Sequence, residues 1–244
     1  MASKYLKWKD RDVQPDEPVR LTARPKRANW WHYHKWYVVL GAVLLAVLVN
    51  LVFRGLGLWE IKPDYQVAYV GSEALPEDTV TALETALAGL GTDCNSDGRV
   101  VVQVNQYILG RNAADGDAAM YAYADSTKLM ADLDSCDSYF FLLEAPETFQ
   151  ENYQVLRRLD GSLPAGSDWN YGSYCLSWVS CPALSSLPLG EYSETFLGQE
   201  FSGDNQERLC GLSLARRGFW TDKTVKHADE CDVLWDTITK GALS

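Results

Sequence analysis

The chain has 244 residues, with 22 Lys and Arg against 33 Asp and Glu, so its formal net charge is −11. The charge is divided unevenly: residues 1–35 hold nine basic and four acidic residues, and residues 54–244 hold the other 13 basic and 29 acidic ones. Such an acidic segment argues against nucleic acid as a partner. Its length suffices for one hydrophobic core but not comfortably for two.

An uncharged run at residues 36–53 begins with Trp36, ends with Phe53 and has Asn50 as its one polar side chain. As a helix it would reach about 27 Å, enough to cross a bilayer. Because the basic residues precede this run, we expect a single-pass cell-membrane protein with its N-terminus in the cytoplasm and the remainder outside. We predict an uncleaved signal anchor. The alternatives are a cleaved signal peptide, although no small-x-small site follows, and a buried core helix.

Residues 1–35 are polar, contain three prolines and show no apolar period, which predicts a disordered basic cytoplasmic tail. The Arg-Pro-Lys-Arg cluster at 24–27 is either a topology signal or a site for anionic lipid head groups. Residues 54–63 are predicted to be a stalk, and residues 64–244 an extracytoplasmic domain.

Strand and helix patterns alternate through the first part of this domain. Strands are predicted at 66–70, 100–109 and 139–143, and helices at 76–90, 118–133 and 146–158. The second helix is expected to face the core with Ala119, Ser126, Met130 and Leu133, and the third with Phe149, Tyr153 and Leu156.

Short joints between these elements predict right-handed crossovers and a mostly parallel sheet covered by helices on both faces. Residues 159–208 are rich in Gly, Ser, Pro and aromatic residues, which indicates loops and short antiparallel strands. A strand at 212–215 and a last helix, capped by Thr221 or Asp222 and ending at Gly241, would complete the domain. The predicted fold class is α/β: one transmembrane helix, then a three-layer α/β domain with a partly antiparallel, loop-rich C-terminal part.

All six cysteines follow the apolar run, and an even count in an oxidising compartment favours disulfide bonds. No CxxC pair occurs, which argues against zinc; buried free thiols are the alternative. The expected order of the strands suggests the pair Cys94–Cys136. Cys175 and Cys181 are close enough in sequence to close a hairpin, which leaves Cys210 to pair with Cys231.

The string Asp93 to Val100 reads D-x-N-x-D-G-x-V and resembles the calcium loops of EF-hands and dockerins. In such a loop the side chains of Asp93, Asn95 and Asp97 and the carbonyl of Arg99 would bind Ca²⁺, and the glycine would form the sharp turn.

The loop departs from that pattern where a bidentate acid is expected, because this position is Val104 within a predicted strand. Asp115 or Asp117 could supply the missing carboxylate. The alternative is a tight helix-to-strand turn without metal, since Asp, Asn and Gly tolerate left-handed geometry and cap their own backbone.

Signatures of enzymes are mostly lacking in the sequence. His227 is the one histidine of the predicted domain, and no nucleophile elbow, phosphate-binding loop or dinucleotide fingerprint is found. The 29 carboxylates leave room for an acid pair of the kind that glycosidases use.

Residues 128–143, KLMADLDSCDSYFFLL, and the following APETF resemble a segment of the extracytoplasmic solute-binding proteins of ABC importers. In that family a helix ends in a Gly-Asp turn into an apolar strand; here Cys136-Asp137 stands at the turn. The resemblance covers 66–156, one lobe of a protein that normally has two, and implies the fold more than transport.

The carboxyl ends of the predicted strands are the expected ligand edge. The residues there are Gly71-Ser72, Gly110-Arg111 and Glu144-Ala145, and Trp169, Tyr171 and Trp178 either wall the site or pack in the core. Three functions remain: a non-catalytic binding or scaffold module, an envelope protein that binds another protein, and a carboxylate-based hydrolase.

Overall fold

The structure, a computed structural model, describes residues 23–55, 62–109, 116–164, 170–196, 199–220 and 223–242. The chain divides into an N-terminal unit with one described helix, α1, and a second unit, Ile61–Ser244, that contains the other described elements.

Helix α1 spans Ala23–Gly55, and its part Arg27–Phe53 is long and apolar enough to cross a membrane, with a mean hydropathy of 2.5 over its most apolar 18 residues. The helix begins well before Trp36, so residues 23–35 of the segment that was predicted to be disordered are helical. Once the apolar run has formed a helix, each added residue gains a hydrogen bond, so the polar flank can continue it. In this flank the rings of Trp30 and His34 stack with centroids 4.9 Å apart.

Up to residue 153 the second unit alternates strands and helices as the sequence predicts. In chain order its elements are β1 Tyr65–Gly71, α2 Glu77–Ala88, β2 Val102–Ile108, α3 Gly116–Ser135, β3 Phe140–Leu143, α4 Pro146–Tyr153, β4 Cys175–Ser177, α5 Pro182–Ser185, β5 Glu191–Phe196, β6 Gln199–Asp204, α6 Asn205–Leu209, β7 Ser213–Arg216 and α7 Ala228–Thr239.

Within the described ranges, a five-stranded sheet has the order β2-β1-β3-β7-β4. Strand β1 pairs in parallel with β2 and β3, whereas β7 pairs antiparallel with β3 and β4. The sheet is therefore mixed, where the sequence predicted a mostly parallel one. The crossovers through α2 and α3 make the parallel half. The chain enters β7 from the other end, after α6. Strands β5 and β6 form a separate hairpin.

Side chains of β1 and β3 alternate between two core clusters on opposite faces of the sheet. Leu83 of α2 and Trp235 of α7 belong to one cluster, and Leu129 of α3 and Phe149 of α4 belong to the other, so helices cover both faces. The strand residues in the first cluster include Tyr65, Val67, Tyr69, Phe140 and Leu142, and those in the second include Ala68, Val70, Phe141 and Leu143.

The predicted inner stripe of α3 needs a correction. Leu129 and Leu133 are buried, at 0% and 8% exposure, whereas Met130 is 55% exposed. Leu133 is thus buried as predicted, whereas the buried residue one turn before it is Leu129 and not the predicted Met130, because the contact with the sheet sets the rotation of the helix.

The ends of α4 and α7 also differ from the prediction. Helix α4 stops at Tyr153 because Gln154 adopts a left-handed φ of 52°, so Leu156 lies beyond the helix and bridges to Arg217. Helix α7 begins at Ala228. The predicted caps at 221 and 222 lie outside the described residues.

Candidate functional site

A cleft of about 390 Å³ lies where β1, β2 and β3 end, which is the edge at which the sequence places a ligand. Parallel strands bring their carboxyl ends to the same edge, so residues that follow different strands meet there. The lining residues are Val70, Gly71, Ser72, Leu109, Leu143, Glu144, Ala145, Thr148, Phe149, Asn152 and Tyr153.

The carboxylate of Glu144 is held in place by Ser72. The Ser72 backbone N–H donates to Oε2 at 2.5 Å, and the Ser72 hydroxyl lies 2.8 Å from both carboxylate oxygens. These donors are neutral, and no ion pair within the described part of the chain includes Glu144. The cleft therefore has a fixed, solvent-exposed negative charge in its lining.

Helix α4 forms an aromatic wall of the cleft. Phe149 lies 5.3 Å from Phe141 of β3 and 5.0 Å from Tyr153, measured between ring centroids, so an aromatic row leads from the core to the cleft. Thr148 and Asn152, one helical turn apart, line the cleft with exposed side chains. The sequence predicts this helix but gave no sign that this face lines a site. The short joint after β3 could have indicated it, because it keeps the helix near the strand end.

Tyr69 and Gly71 are packed tightly against each other at this edge. Burial, and next the carboxylate of Glu144, raise the pKa of Tyr69 to about 12. The Tyr69 hydroxyl donates to the carbonyl of Glu73 at 2.8 Å. A Cβ added to Gly71 would lie 2.6 Å from Cζ of Tyr69, which is far below van der Waals contact. A glycine is therefore required here by the close approach of the ring.

Trp178 does not line this cleft. Its side chain is 1% exposed and packs in the core cluster of α2 and α7, and its Nε1–H donates to Oε1 of Gln206 at 2.9 Å. Core packing, the alternative in the sequence analysis, is thus the role of Trp178. Gly110, Arg111 and Trp169 lie outside the described residues, as does the side chain of Tyr171.

The predicted calcium loop forms a series of side-chain to backbone hydrogen bonds. Asp93 Oδ2 accepts from the N–H of Gly98 at 2.8 Å, Asn95 Oδ1 from the N–H of Asp97 at 2.9 Å, and Asp97 Oδ1 from the N–H of Arg99 at 2.9 Å. Each predicted side-chain ligand thus already accepts a backbone hydrogen bond, as in a tight turn.

Asp64, which the sequence analysis did not consider as a site residue, anchors the loop. It is 3% exposed, and its Oδ1 accepts from the N–H of Cys94 at 2.9 Å and of Asn95 at 3.1 Å. Its Oδ2 accepts from the N–H of Val101 at 2.8 Å. One carboxylate therefore ties both ends of the loop together.

The predicted metal ligands do not form a cluster with other metal-binding side chains in the described part of the chain. Among the described residues, no group of three or more His, Cys, Asp or Glu gathers to hold a metal. Asp115 lies outside them, as does the side chain of Asp117, so the calcium site stays a prediction.

His227 directly precedes α7 with a φ of 57°. Among the described residues that line the cleft, Glu144 carries the one carboxylate, whereas a glycosidase-like mechanism uses two.

All six cysteines are free thiols in the structure. Cys175 packs against one core cluster and Cys181 is buried in the other, so these two residues lie on opposite faces of the sheet. Burial raises the pKa of Cys175 and, together with a smaller effect of nearby Cys94, that of Cys231 to about 12. The three predicted disulfide pairings stay predictions.

Comparison with known proteins leaves the family open: no protein-family model, no curated protein and no solved structure matches this chain significantly.

Proposed function

We propose that this chain is a single-pass membrane protein whose extracytoplasmic α/β domain binds a small molecule without catalysing a reaction. The observation that carries this proposal is the cleft of about 390 Å³ at the carboxyl ends of β1, β2 and β3. Ligands of open α/β sheets bind at this edge, and ligand pockets combine an apolar surface with a few fixed polar groups. Glu144, held by Ser72, is such a group.

The proposed anchor is the apolar part of α1. Nine basic residues precede or adjoin it and the segment after it is strongly acidic, which favours a cytoplasmic N-terminus and an extracytoplasmic domain. Cysteine labelling with a membrane-impermeant maleimide in intact cells tests this topology. We expect the exposed Cys210 to react once a membrane-impermeant reductant has opened any disulfide. A domain that reacts only after the cells are lysed would contradict the proposal.

The resemblance to one lobe of a solute-binding protein supports a binding role. Cys136, which stands where that family has glycine, adopts a left-handed φ of 58°. Glycine adopts this conformation without strain. A glycine could therefore replace Cys136 without straining the backbone, so the turn is compatible with the family pattern although the side chain differs.

Ligand screening of the full chain in lipid nanodiscs tests the binding role. Pools of small metabolites would be assayed by saturation-transfer NMR against the wild type, Thr148→Trp and Glu151→Trp. Thr148 lines the cleft, whereas Glu151 is an exposed residue of the same helix outside the lining. We expect compounds that bind the wild type and Glu151→Trp but not Thr148→Trp. Compounds that bind Thr148→Trp as well as they bind the wild type would contradict the proposal. The absence of binding by any compound would also contradict it.

A second candidate function, binding to another envelope protein, is favoured by α3. Its residues Met120, Tyr123 and Met130 are 69%, 75% and 55% exposed, and helical periodicity places them on one side of α3. Exposed apolar side chains that share a face are typical of interaction surfaces. Photo-crosslinking from Tyr123 in cells, with the exposed Thr237 of α7 as the control position, would detect such a partner. Equal crosslinking from both positions would contradict this candidate.

A further inference from the structure

From the cleft we infer that the ligand is a small organic ammonium ion with an apolar body, whose charge is bound by the carboxylate of Glu144. This inference rests on the proposed function, since it names the chemical class that the cleft selects. Glu144 is solvent-exposed, fixed by three contacts from Ser72 and not engaged in any ion pair that the described residues make.

The hydrogen bonds to Glu144 leave capacity for a further donor. A carboxylate offers about four lone-pair sites, and Ser72 supplies two donor groups, its N–H and its hydroxyl. The Tyr69 hydroxyl, which also lies at this edge, donates to the carbonyl of Glu73. An ammonium group with three donors would complete the shell of Glu144 and form a charge-assisted hydrogen bond, roughly twice as strong as a neutral one.

The rest of the cleft is suited to an apolar body. Val70, Leu143 and Phe149 lie in the lining as buried side chains, and Tyr153 presents a ring within the same row of aromatics. An aromatic face also attracts a cation at close range. The strongly acidic domain would raise the local concentration of cations and lower that of anions, which adds to the selection.

Three matched probes test the inference: 2-phenylethylamine, 2-phenylethanol and 3-phenylpropionate share a ring and differ in charge. Each would be titrated by calorimetry into the full chain in zwitterionic nanodiscs. We expect the amine to bind at least about fivefold more tightly than the alcohol and the acid, as an ion pair predicts. Glu144→Gln should remove this preference, whereas Glu147→Gln, an equal charge change on an exposed residue outside the lining, should keep it.

Two results would overturn the inference. If the alcohol or the acid binds as tightly as the amine and Thr148→Trp blocks it, the cleft binds ligands but does not select ammonium ions, so the proposed function stands and this inference fails. If the amine does not bind up to millimolar concentration, the inference also fails. The broader metabolite screen then decides separately whether the cleft binds any ligand.

Discussion

The Thr79 hydroxyl donates a 2.5 Å hydrogen bond to Oδ1 of Asn205, although 126 positions separate the two residues. Both side chains are at most 1% exposed, and the Asn205 side-chain amide donates in turn to the carbonyl of Leu189 at 2.8 Å. This contact ties α2 to the start of α6.

Thr79→Val keeps the shape of the side chain but leaves the buried Oδ1 of Asn205 without its donor. We expect the free energy of unfolding to fall by about 1–3 kcal/mol, measured by urea denaturation. Thr237→Val, which alters an exposed threonine on α7, is the matched control and should change it by less than about 0.5 kcal/mol. Equal losses in the two variants would show that the hydrogen bond is not the cause.

Gly71→Ala should distort the edge of the cleft. The new Cβ would overlap the ring of Tyr69, so the ring must move and its hydrogen bond to Glu73 is strained. Overpacking of this kind costs about 1–3 kcal/mol. Gly211→Ala is the control, because no atom lies within 4 Å of its Cβ position. Thermal unfolding of both variants checks the prediction, and an unaffected Gly71→Ala would contradict it.

Alkaline pH should unfold the domain as its buried tyrosines ionise. Burial raises the pKa of Tyr69 from 10.0 to about 12, and burial with a carboxylate acceptor raises that of Tyr107 and Tyr139. Because the pKa of Tyr69 is higher in the folded than in the unfolded state, the stability that the protonated Tyr69 contributes is fully present below pH 10. It is lost as the pH rises through 12. For Tyr69 the shift corresponds to at most about 2–3 kcal/mol, because the solvent screens part of the effect at its partly buried hydroxyl.

Absorbance at 295 nm and circular dichroism during an alkaline titration measure this effect. We expect the last phenols to ionise together with unfolding. Tyr69→Phe should lose less stability than the wild type between pH 10 and pH 12. A wild type that ionises all its tyrosines near pH 10 while still folded would contradict the prediction.

The thiols should differ sharply in reactivity. Cys210 is exposed, whereas burial raises the pKa of Cys175 and Cys231 to about 12 and so keeps them protonated at neutral pH. In the reduced protein, iodoacetamide at pH 8 should label Cys210 in minutes and the other two only after unfolding, because the thiolate is the reactive form. Peptide mass mapping identifies which cysteines carry the label.

The same mass map without reduction tests the disulfide predictions. Cys94–Cys136 and Cys210–Cys231 would appear as linked peptides. The predicted Cys175–Cys181 bridge would appear as well, although it requires these two residues to leave the separate core clusters in which the structure places them.

Asp64→Asn should destabilise the loop whether or not it binds metal. The side-chain amide provides one acceptor oxygen in place of two, so either Val101 or the pair Cys94 and Asn95 loses its acceptor. We expect a loss of about 1–3 kcal/mol in urea. Calorimetric titration of the wild type with millimolar Ca²⁺ then decides between the interpretations of the loop, since the turn alone predicts no heat of binding.

Local patterns in the sequence were enough to locate many elements. The uncharged run of α1, the apolar runs of β1, β2 and β3, and the joint that starts α4 are visible because each depends on its own residues and near neighbours. The parallel order of those strands then placed Gly71-Ser72 and Glu144-Ala145 at one edge, where the cleft is found.

Tertiary packing decided what such patterns do not contain. A helical period does not set the rotation of α3, so only contact with the sheet shows that Leu129 is buried and Met130 exposed. The direction of β7 depends on where the chain re-enters the sheet. The hydrogen bonds of Ser72 to Glu144 and of Asp64 to the loop join residues far apart in the chain, and such contacts exist only because folding brings the two partners together.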